Sequence, residues 1–376
     1  MNCPATNDTT GHVRPRVALL TTVEFWWPGG GDRTRIGALV RYLSQQLALS
    51  IVVPIVLDAA SRQQLAATLP QAVVHTLGLP PRGAARDALA ALAGFLHQHP
   101  QDACIFEYLI LGWLRAAVPP GVLTLVDTHD VVHARDAELL SLGERLDRPL
   151  LSASQEQQQL NAFDRVIAIS RPDAATFSAW FGPSRVILAP HPTPLRPQLL
   201  RSELRHVMFV ASAYAPNRDG LQWFLREVWP RLAGLGLVLH VVGIVGPALQ
   251  LAPAADLRVW GRVDDLEAAY ALADLCINPV RCGSGLKIKT VEAMAHGLPL
   301  VATSHAVRGL EHARDEAFIV ADDAEAFAQA VAMLAARPEE RRRLAAGALR
   351  LAAAECSEVA CFSALLSALR ACGNVP

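Results

Sequence analysis

The sequence predicts an α/β chain built as two doubly wound, parallel-sheet domains, and three observations carry that expectation. Short apolar runs alternate with segments of helical period along the whole length, the pattern of βα units. The 376 residues amount to roughly two and a half typical ~150-residue domains. Ala189 to Pro197 carries four prolines in nine residues, which continue neither a helix nor an interior strand, and it divides the runs into two sets.

The expected strands of the first set are Val17 to Thr21, Ile51 to Leu57, Ala72 to Leu77, Ala103 to Tyr108, Val122 to Asp127 and Arg165 to Ser170. Those of the second are His206 to Ala211, Leu237 to Val242, Leu257 to Trp260, Asp274 to Asn278, Pro299 to Ala302 and Ala317 to Val320. After Asp322 the chain is Ala/Leu/Arg-rich and helical to about Ala371, broken at Arg337 and Pro338. The expected domains are therefore residues 1–195 and 196–355, with 356–376 a C-terminal helix packing back on the first. Leu232 to Ala255 holds no charged side chain, yet Gly234, Gly236, Gly243, Gly246, Pro247 and Pro253 interrupt it. It reads as a buried strand with its loop, and not as a membrane span.

Composition excludes several classes of function. Hydrophobic residues make up 52% and charged residues 18%, enough apolar material for two cores and far from a disordered profile. Lys and Arg total 34 against 35 for Asp and Glu, so no basic excess serves nucleic acid. Seven cysteines, Cys3, Cys104, Cys276, Cys282, Cys356, Cys361 and Cys372, form no Cys-x-x-Cys pair, which argues against a disulfide framework or a zinc site. The polar start, Met1 to Gly11, predicts a cytoplasmic chain. Arg14, Arg16, Arg33, Arg35 and Arg41 leave peripheral contact with the inner face of a membrane open.

In open α/β sheets ligands bind outside the carboxyl ends of the strands, so the segments just after strands matter most. Pro28-Gly29-Gly30-Gly31-Asp32 runs into a helix with Asp32 as its expected N-cap. Gly29, Gly30 and Gly31 there present amides to an anion or a hydroxyl-rich ligand, or serve only a tight positive-φ turn. Val126 to Asp130 places His129 between Asp127 and Asp130, suited to binding or deprotonating a hydroxyl; a loop histidine capped locally is the plainer alternative. Ser212 to Asp219 opens a second helix, with Asn217 as expected N-cap and Arg218 in a first turn, where a cation calls for an anionic partner.

Asn278 to Gly309 is the sharpest segment. Gly283 and Gly285 open a turn, a helix follows from near Leu286, and Gly297 stops it. Ile288, Val291 and Ala295 form the expected buried stripe, while Gly285, Lys289, Glu292 and His296 share a sector of about 60°. Lys287 is rotated about 160° from Lys289, toward solvent or the domain body. These are the only two lysines in a chain that otherwise uses Arg for every cation. A compact ammonium suits a phosphate held close to the backbone, whereas an exposed Lys–Glu pair would be the ordinary reading.

FVASAYAPNRDGLQWFLREVWPRL and GSGLKIKTVEAMAHGLPLVAT, within Phe209 to Leu310, resemble the retaining glycosyltransferases of the GT-B fold, glycosyltransferase family 4 (group 1). In the first half the resemblance rests on Pro28 to Arg35, Asp127 to Val131 and Arg165 to Ser170. It implies two Rossmann-like domains facing a cleft, with a nucleotide diphosphate sugar held by the second and a hydroxyl-bearing acceptor by the first. That acceptor would be a glycan, a lipid-linked glycan or a metabolite, as in polysaccharide biosynthesis. Glu292 then binds the donor ribose; Gly283, Ser284, Gly285 and Leu286 meet its sugar and phosphate; Arg218 and Lys289 hold the diphosphate. Gly261, Arg262 and Val263 receive the base, and His129 with Asp130 lies near the reacting sugar. No metal and no cofactor beyond the donor are implied. Two positions depart from the pattern: Ser284 stands where the first carboxylate of Glu-x7-Glu falls, and Ala213 where many relatives carry Arg. A non-catalytic nucleotide-sugar-binding protein and a nucleotide-sugar epimerase are the competing readings.

Overall fold

The computed structural model describes residues 14–69, 73–79, 85–146 and 148–372. Met1 to Gly11, Cys3 and Ala72 lie outside the described residues. The chain divides into two compact units, one formed by Met1–His133, Leu151–His191 and Cys361–Pro376, the other by Ala134–Leu150 and Pro192–Ala360.

The first unit holds a seven-stranded parallel sheet: β1 (Arg16–Leu20), β2 (Ala48–Ile55), β3 (Val73–Leu79), β4 (Ala103–Glu107), β5 (Leu123–Asp127), β6 (Arg165–Ala168) and β7 (Val186–Leu188). Its order is β3-β2-β1-β4-β5-β6-β7. The second holds β8 (His206–Val210), β9 (Val238–Val242), β10 (Leu257–Gly261), β11 (Leu275–Asn278), β12 (Leu300–Ala302) and β13 (Ile319–Val320), ordered β10-β9-β8-β11-β12-β13. Each sheet reverses its winding once, between β1 and β4 and between β8 and β11. Those are the switch points where a doubly wound sheet leaves a crevice at its carboxyl edge.

Both faces of each sheet are covered, which is why the strands read as nearly continuous apolar runs. In the second unit Val207, Phe209, Leu239, Val241, Leu275 and Ile277 point into one core. Met208, Val242, Cys276, Leu300 and Ala302 point into the other. The uncharged stretch from Leu232 contributes β9, a buried strand between β10 and β8. Only β7, just before the proline-rich stretch, went unforeseen among the strands.

Two stretches cross from the unit that chain order suggests. The helix Glu358–Cys372 sends Cys361, Phe362, Leu365 and Leu369 into the core of the first unit, where Phe362 meets Tyr42 at a ring separation of 5.5 Å. Residues 134–150, expected with the first domain, belong with the second. Glu138 accepts from the Gly283 amide and Glu144 pairs with Arg218, so the stretch is tied there by polar contacts that no apolar pattern announces. Among the described residues, 338–372 is long and apolar enough to cross a membrane by length and composition. It is nevertheless two helices, Pro338–Glu355 and Glu358–Cys372, whose apolar faces are buried in the cores.

Gly347 lies within the first of these helices, and a Cβ there would overlap the backbone carbonyl of Glu316. In an open helix Gly→Ala gains about 1 kcal/mol. Here the sign reverses: Gly347→Ala is expected to cost about 1–3 kcal/mol, the range for overpacking a tight contact. A thermal melt checks it, and a variant more stable than the parent would contradict the packing.

Candidate functional site

In the second unit the site grows from the turns after β8 and β11. The helix after β8 spans Ala215–Trp223 and is capped by Tyr214, not Asn217. Pro216 in its first turn, where a missing N–H costs nothing, lets it start early. Asn217 is buried instead, and its side-chain amide donates to the Ser212 carbonyl (3.0 Å) and hydroxyl (3.2 Å). That turns its Oδ1 toward Lys289, whose Nζ donates at 2.8 Å. Arg218 has the anionic partner its position calls for, Glu144, in a pair about one-third exposed on each side.

After β11 the helix spans Ile288–Ala295 and stops at Gly297, which adopts a left-handed φ of 64°. Val291 and Ala295 are buried, whereas Ile288 is only partly so. Of the two directions open to Lys287, solvent or the domain body, the structure shows the second. The side chain is buried, and Nζ donates to the carbonyls of Gly283 (2.6 Å), Ser284 (2.9 Å) and Gly285 (3.3 Å). An ammonium has three donors and no acceptor, which matches three inward carbonyls. Gly283 and Gly285, at φ 98° and 72°, supply the left-handed turns that direct them. His305 Nε2 also meets the Gly283 carbonyl, so both backbone groups of Gly283 are engaged. A Cβ at Gly283 would lie 3.2 Å from Pro216.

Lys289 and Glu292 lie on the same helix, both partly buried. Tyr270 donates its hydroxyl to Glu292 Oε2 at 2.9 Å and stacks on His296 at 4.3 Å. Within the predicted sector Tyr270 joins Glu292 to His296, while Lys289, bonded to Asn217, is within electrostatic reach of Glu292. Burial, with Lys287 alongside, brings the Lys289 ammonium down to about 7, against the pull of Glu292. Burial raises the Glu292 carboxyl, which Tyr270 and Lys289 counter. At the end of β10, Gly261 (φ 65°) accepts from the Gly243 amide at 2.7 Å; Arg262 is exposed and Val263 packs against the core.

The first unit has its own cluster at the carboxyl ends of β4 and β5. His129 (φ 59°) places Nε2 2.7 Å from Glu107 Oε2 and stacks on Tyr108 (φ 68°) at 4.0 Å. Two non-glycine residues in left-handed backbone at adjacent strand ends mark strain of the kind found at functional sites. Arg35 is not a surface cation: it is 1% exposed, 2.7 Å from Asp127 Oδ2, and donates to the Ala189 carbonyl at 2.9 Å. Burial pushes the Glu107 carboxyl up to about 7, with Arg35 opposing, and brings the His129 imidazole down to about 4, with Asp127 opposing. Asp130 follows, partly buried. Gly29, Gly30 and Gly31 are exposed, and Gly30 caps the helix Gly31–Gln46; Asp32 accepts instead from the Arg33 amide, because the helix begins one residue before it.

Glu107, Asp127 and His129 bring one ligand atom each within 4.8 Å of one another, a set that could meet a metal ion. The Arg35 guanidinium, 2.7 Å from Asp127 Oδ2, already pairs with one of these carboxylates.

Residues 205–337 match the family described as Glycosyl transferases group 1. The matched stretch lies in the second unit and contains Arg218, Gly261 to Val263, Gly283 to Leu286, Lys289 and Glu292. An uncharacterised 44.6 kDa protein of the cps region of Klebsiella pneumoniae is 25% identical over 196 residues, 48% of this chain and 50% of that protein. The match thus spans about half the length of that curated relative. Among solved structures, Anabaena HepE in complex with UDP and glucose superposes with a TM-score of 0.71 at 13% identity, covering 94% of this chain and 99% of that one. Sucrose-phosphate synthase from Thermosynechococcus elongatus gives 0.66 at 15% identity over 95% and 97%. WaaG, a glycosyltransferase involved in lipopolysaccharide biosynthesis, gives 0.63 at 15% over 94% and 99%. At such identities the likeness is one of fold: two Rossmann-like parallel-sheet domains, as in GT-B glycosyltransferases.

Sequence reasoning missed Glu107, Tyr270, Glu138, Glu144 and the carbonyl contacts of Lys287. Glu107 had a usable signal, a carboxylate ending a strand beside the switch point; the others depend on tertiary contacts. Lys287→Met keeps the aliphatic volume but takes this donor from the Ser284 and Gly285 carbonyls and leaves Gly283 with His305. It is expected to cost about 2–3 kcal/mol, the scale for charge-assisted bonds. A urea midpoint unchanged from the parent would show the clasp to be dispensable.

Proposed function

We propose that this chain is a glycosyltransferase, moving a hexosyl group from a nucleotide diphosphate sugar to a hydroxyl-bearing acceptor with retention and without a metal. The observation that carries the reading is the loop wrapped on Lys287 and continued into the helix that presents Lys289 and Glu292, inside the stretch that matches the family. HepE was solved with UDP and glucose, which supports a nucleotide-sugar donor. WaaG and the cps-region relative support a cell-surface glycan or glycolipid as product, made by a cytoplasmic or peripherally membrane-bound enzyme.

In this reading Glu292 accepts from the ribose diol, which requires an acceptor-only group, and Tyr270 steadies one of its oxygens. Lys289 and Arg218 bind the diphosphate, the backbone of Gly261 to Val263 receives the base, and the loop Gly283 to Leu286 meets the sugar and phosphate. Within the first unit, His129 and Asp130 are assigned to the acceptor's reacting hydroxyl and Gly29 to Gly31 to the rest of the acceptor. The acceptor oxygen bonds the anomeric carbon on the face from which the diphosphate departs, and the acceptor proton passes to the departing phosphate oxygen. The protein's work is positioning and stabilising the leaving charge, with Lys289 and Arg218 in place of a metal.

UDP, GDP, ADP or dTDP is expected to raise the melting temperature in the presence of a chelator. Glu292→Gln should weaken that binding by about 1.5–3 kcal/mol, the range for a bond to a charged group. A 2′-deoxyribose nucleotide should be nearly indifferent to the change. Equal binding of the ordinary nucleotide by parent and variant would remove Glu292 from the ribose.

Lys289 adds a proton-linked signature. Its pKa falls from 10.5 to about 7 in the folded chain, so between those values the folded state holds fewer protons than the unfolded, and this group's contribution to stability rises with pH. A bound diphosphate restores the charge. Binding at pH 8 is therefore expected to take up protons, read by calorimetry as a heat that changes with buffer ionisation enthalpy, and Lys289→Met should abolish the change. A buffer-independent heat in the parent would place the phosphates elsewhere.

A further inference from the structure

Two of the groups that the reading above assigns to the donor face carboxylates of one short stretch of the same unit. The Gly283 amide donates to Glu138, and Arg218 pairs with Glu144. Both acids lie on residues 134–146, which belong with the second unit. The helix Val132–Ser141 carries Glu138 and ends in a left-handed turn at Gly143 (φ 79°), with the Glu144 amide donating to the Leu139 carbonyl (3.1 Å) and the Gly143 amide to Leu140 (2.9 Å). That double closure reverses the chain just past the helix and fixes Glu144 relative to Glu138. Asp136, 2% exposed, is held by Arg148 at 2.6 Å and by Arg135 at 3.3 Å. The two carboxylates are thus presented together by a structured element.

A carboxylate and a phosphate oxygen ask for the same partners, an amide N–H and a guanidinium, and repel each other. We propose that residues 134–146 form an acidic strap that occupies the diphosphate-binding donors of the ligand-free chain and withdraws when a nucleotide diphosphate binds. The proposal rests on the donor-site reading. The hold is reversible by construction: the Arg218–Glu144 pair is about one-third exposed on each side, a setting in which ion pairs are weak and screened by salt. The loop itself does not depend on the strap. The carbonyl of Gly283 stays on Lys287 and His305 when its amide is released, so withdrawal uncovers a formed site.

The test uses the full chain at low ionic strength, with Glu138→Gln, Glu144→Gln and the double variant, and with UDP and inorganic pyrophosphate as probes in calorimetry. Removing a competitor raises the fraction of competent molecules, so the double variant is expected to bind both probes about three- to tenfold more tightly, the single variants falling between. In the parent, amide hydrogen exchange over 134–146 should quicken when UDP is added, a readout that needs no variant. Unchanged or weaker binding in the double variant, or slower exchange over 134–146 with UDP, would overturn the strap and make these acids part of the ligand's own grip. Tighter pyrophosphate with no nucleotide bound by either protein keeps the strap and removes the donor reading. Nucleotide bound equally by both keeps the donor reading and removes the strap. Binding of neither probe to either protein removes both.

Discussion

Lys287 holds three consecutive carbonyls with one buried ammonium, and the second unit's site takes its shape from that contact. Drawing carbonyls 283 to 285 inward requires left-handed backbone at Gly283 and Gly285, which explains glycine there. With the loop closed on itself, the following helix must begin at Ile288. That places Lys289 one residue into it and Glu292 one turn further on. Asn217 and Tyr270, from other elements, then meet fixed targets.

The first unit solves the same problem with different chemistry. Its loops also leave the carboxyl ends of buried parallel strands, and a buried cation also holds them, but Arg35 faces a carboxylate and a single carbonyl. A planar guanidinium suits a carboxylate, whereas a compact ammonium with rotating donors suits a ring of carbonyls. This gives the two lysines of an otherwise arginine-only chain a physical reason. One fits a carbonyl cage; the other is held near neutrality by burial and by that first charge, a property a guanidinium does not offer.

The sheets were legible in the sequence because a strand covered on both faces must be apolar throughout, and a run of four or more such residues stands out. Helix starts were less legible: Asp32 and Asn217 have the right chemistry for caps, yet Gly30 and Tyr214 hold those positions, since the start of a helix is decided by the turn that feeds it. Glu292, Lys289 and Arg218 could be named from spacing and resemblance, and the structure sets Glu292 and Lys289 on one helix within electrostatic reach of each other. Glu138 and Glu144 could not, because what places them is the capture of 134–150 by the second unit, through partners 145 and 74 residues away in sequence.

The charges explain why an anion would have to exchange with the protein's own acids here. Lys287 is satisfied by carbonyl dipoles, Lys289 is drawn toward its neutral form and rests on Asn217, and Arg218 is paired with Glu144. None of these groups stands as a bare charge in the ligand-free chain, as the cost of an uncompensated buried charge requires. An incoming dianion must therefore either bring a proton with it, as at Lys289, or displace a carboxylate, as at Arg218 and the Gly283 amide. Both routes leave the glycine loop and its lysine unchanged. The rigid part of the site is its backbone, and the exchangeable part is its charge.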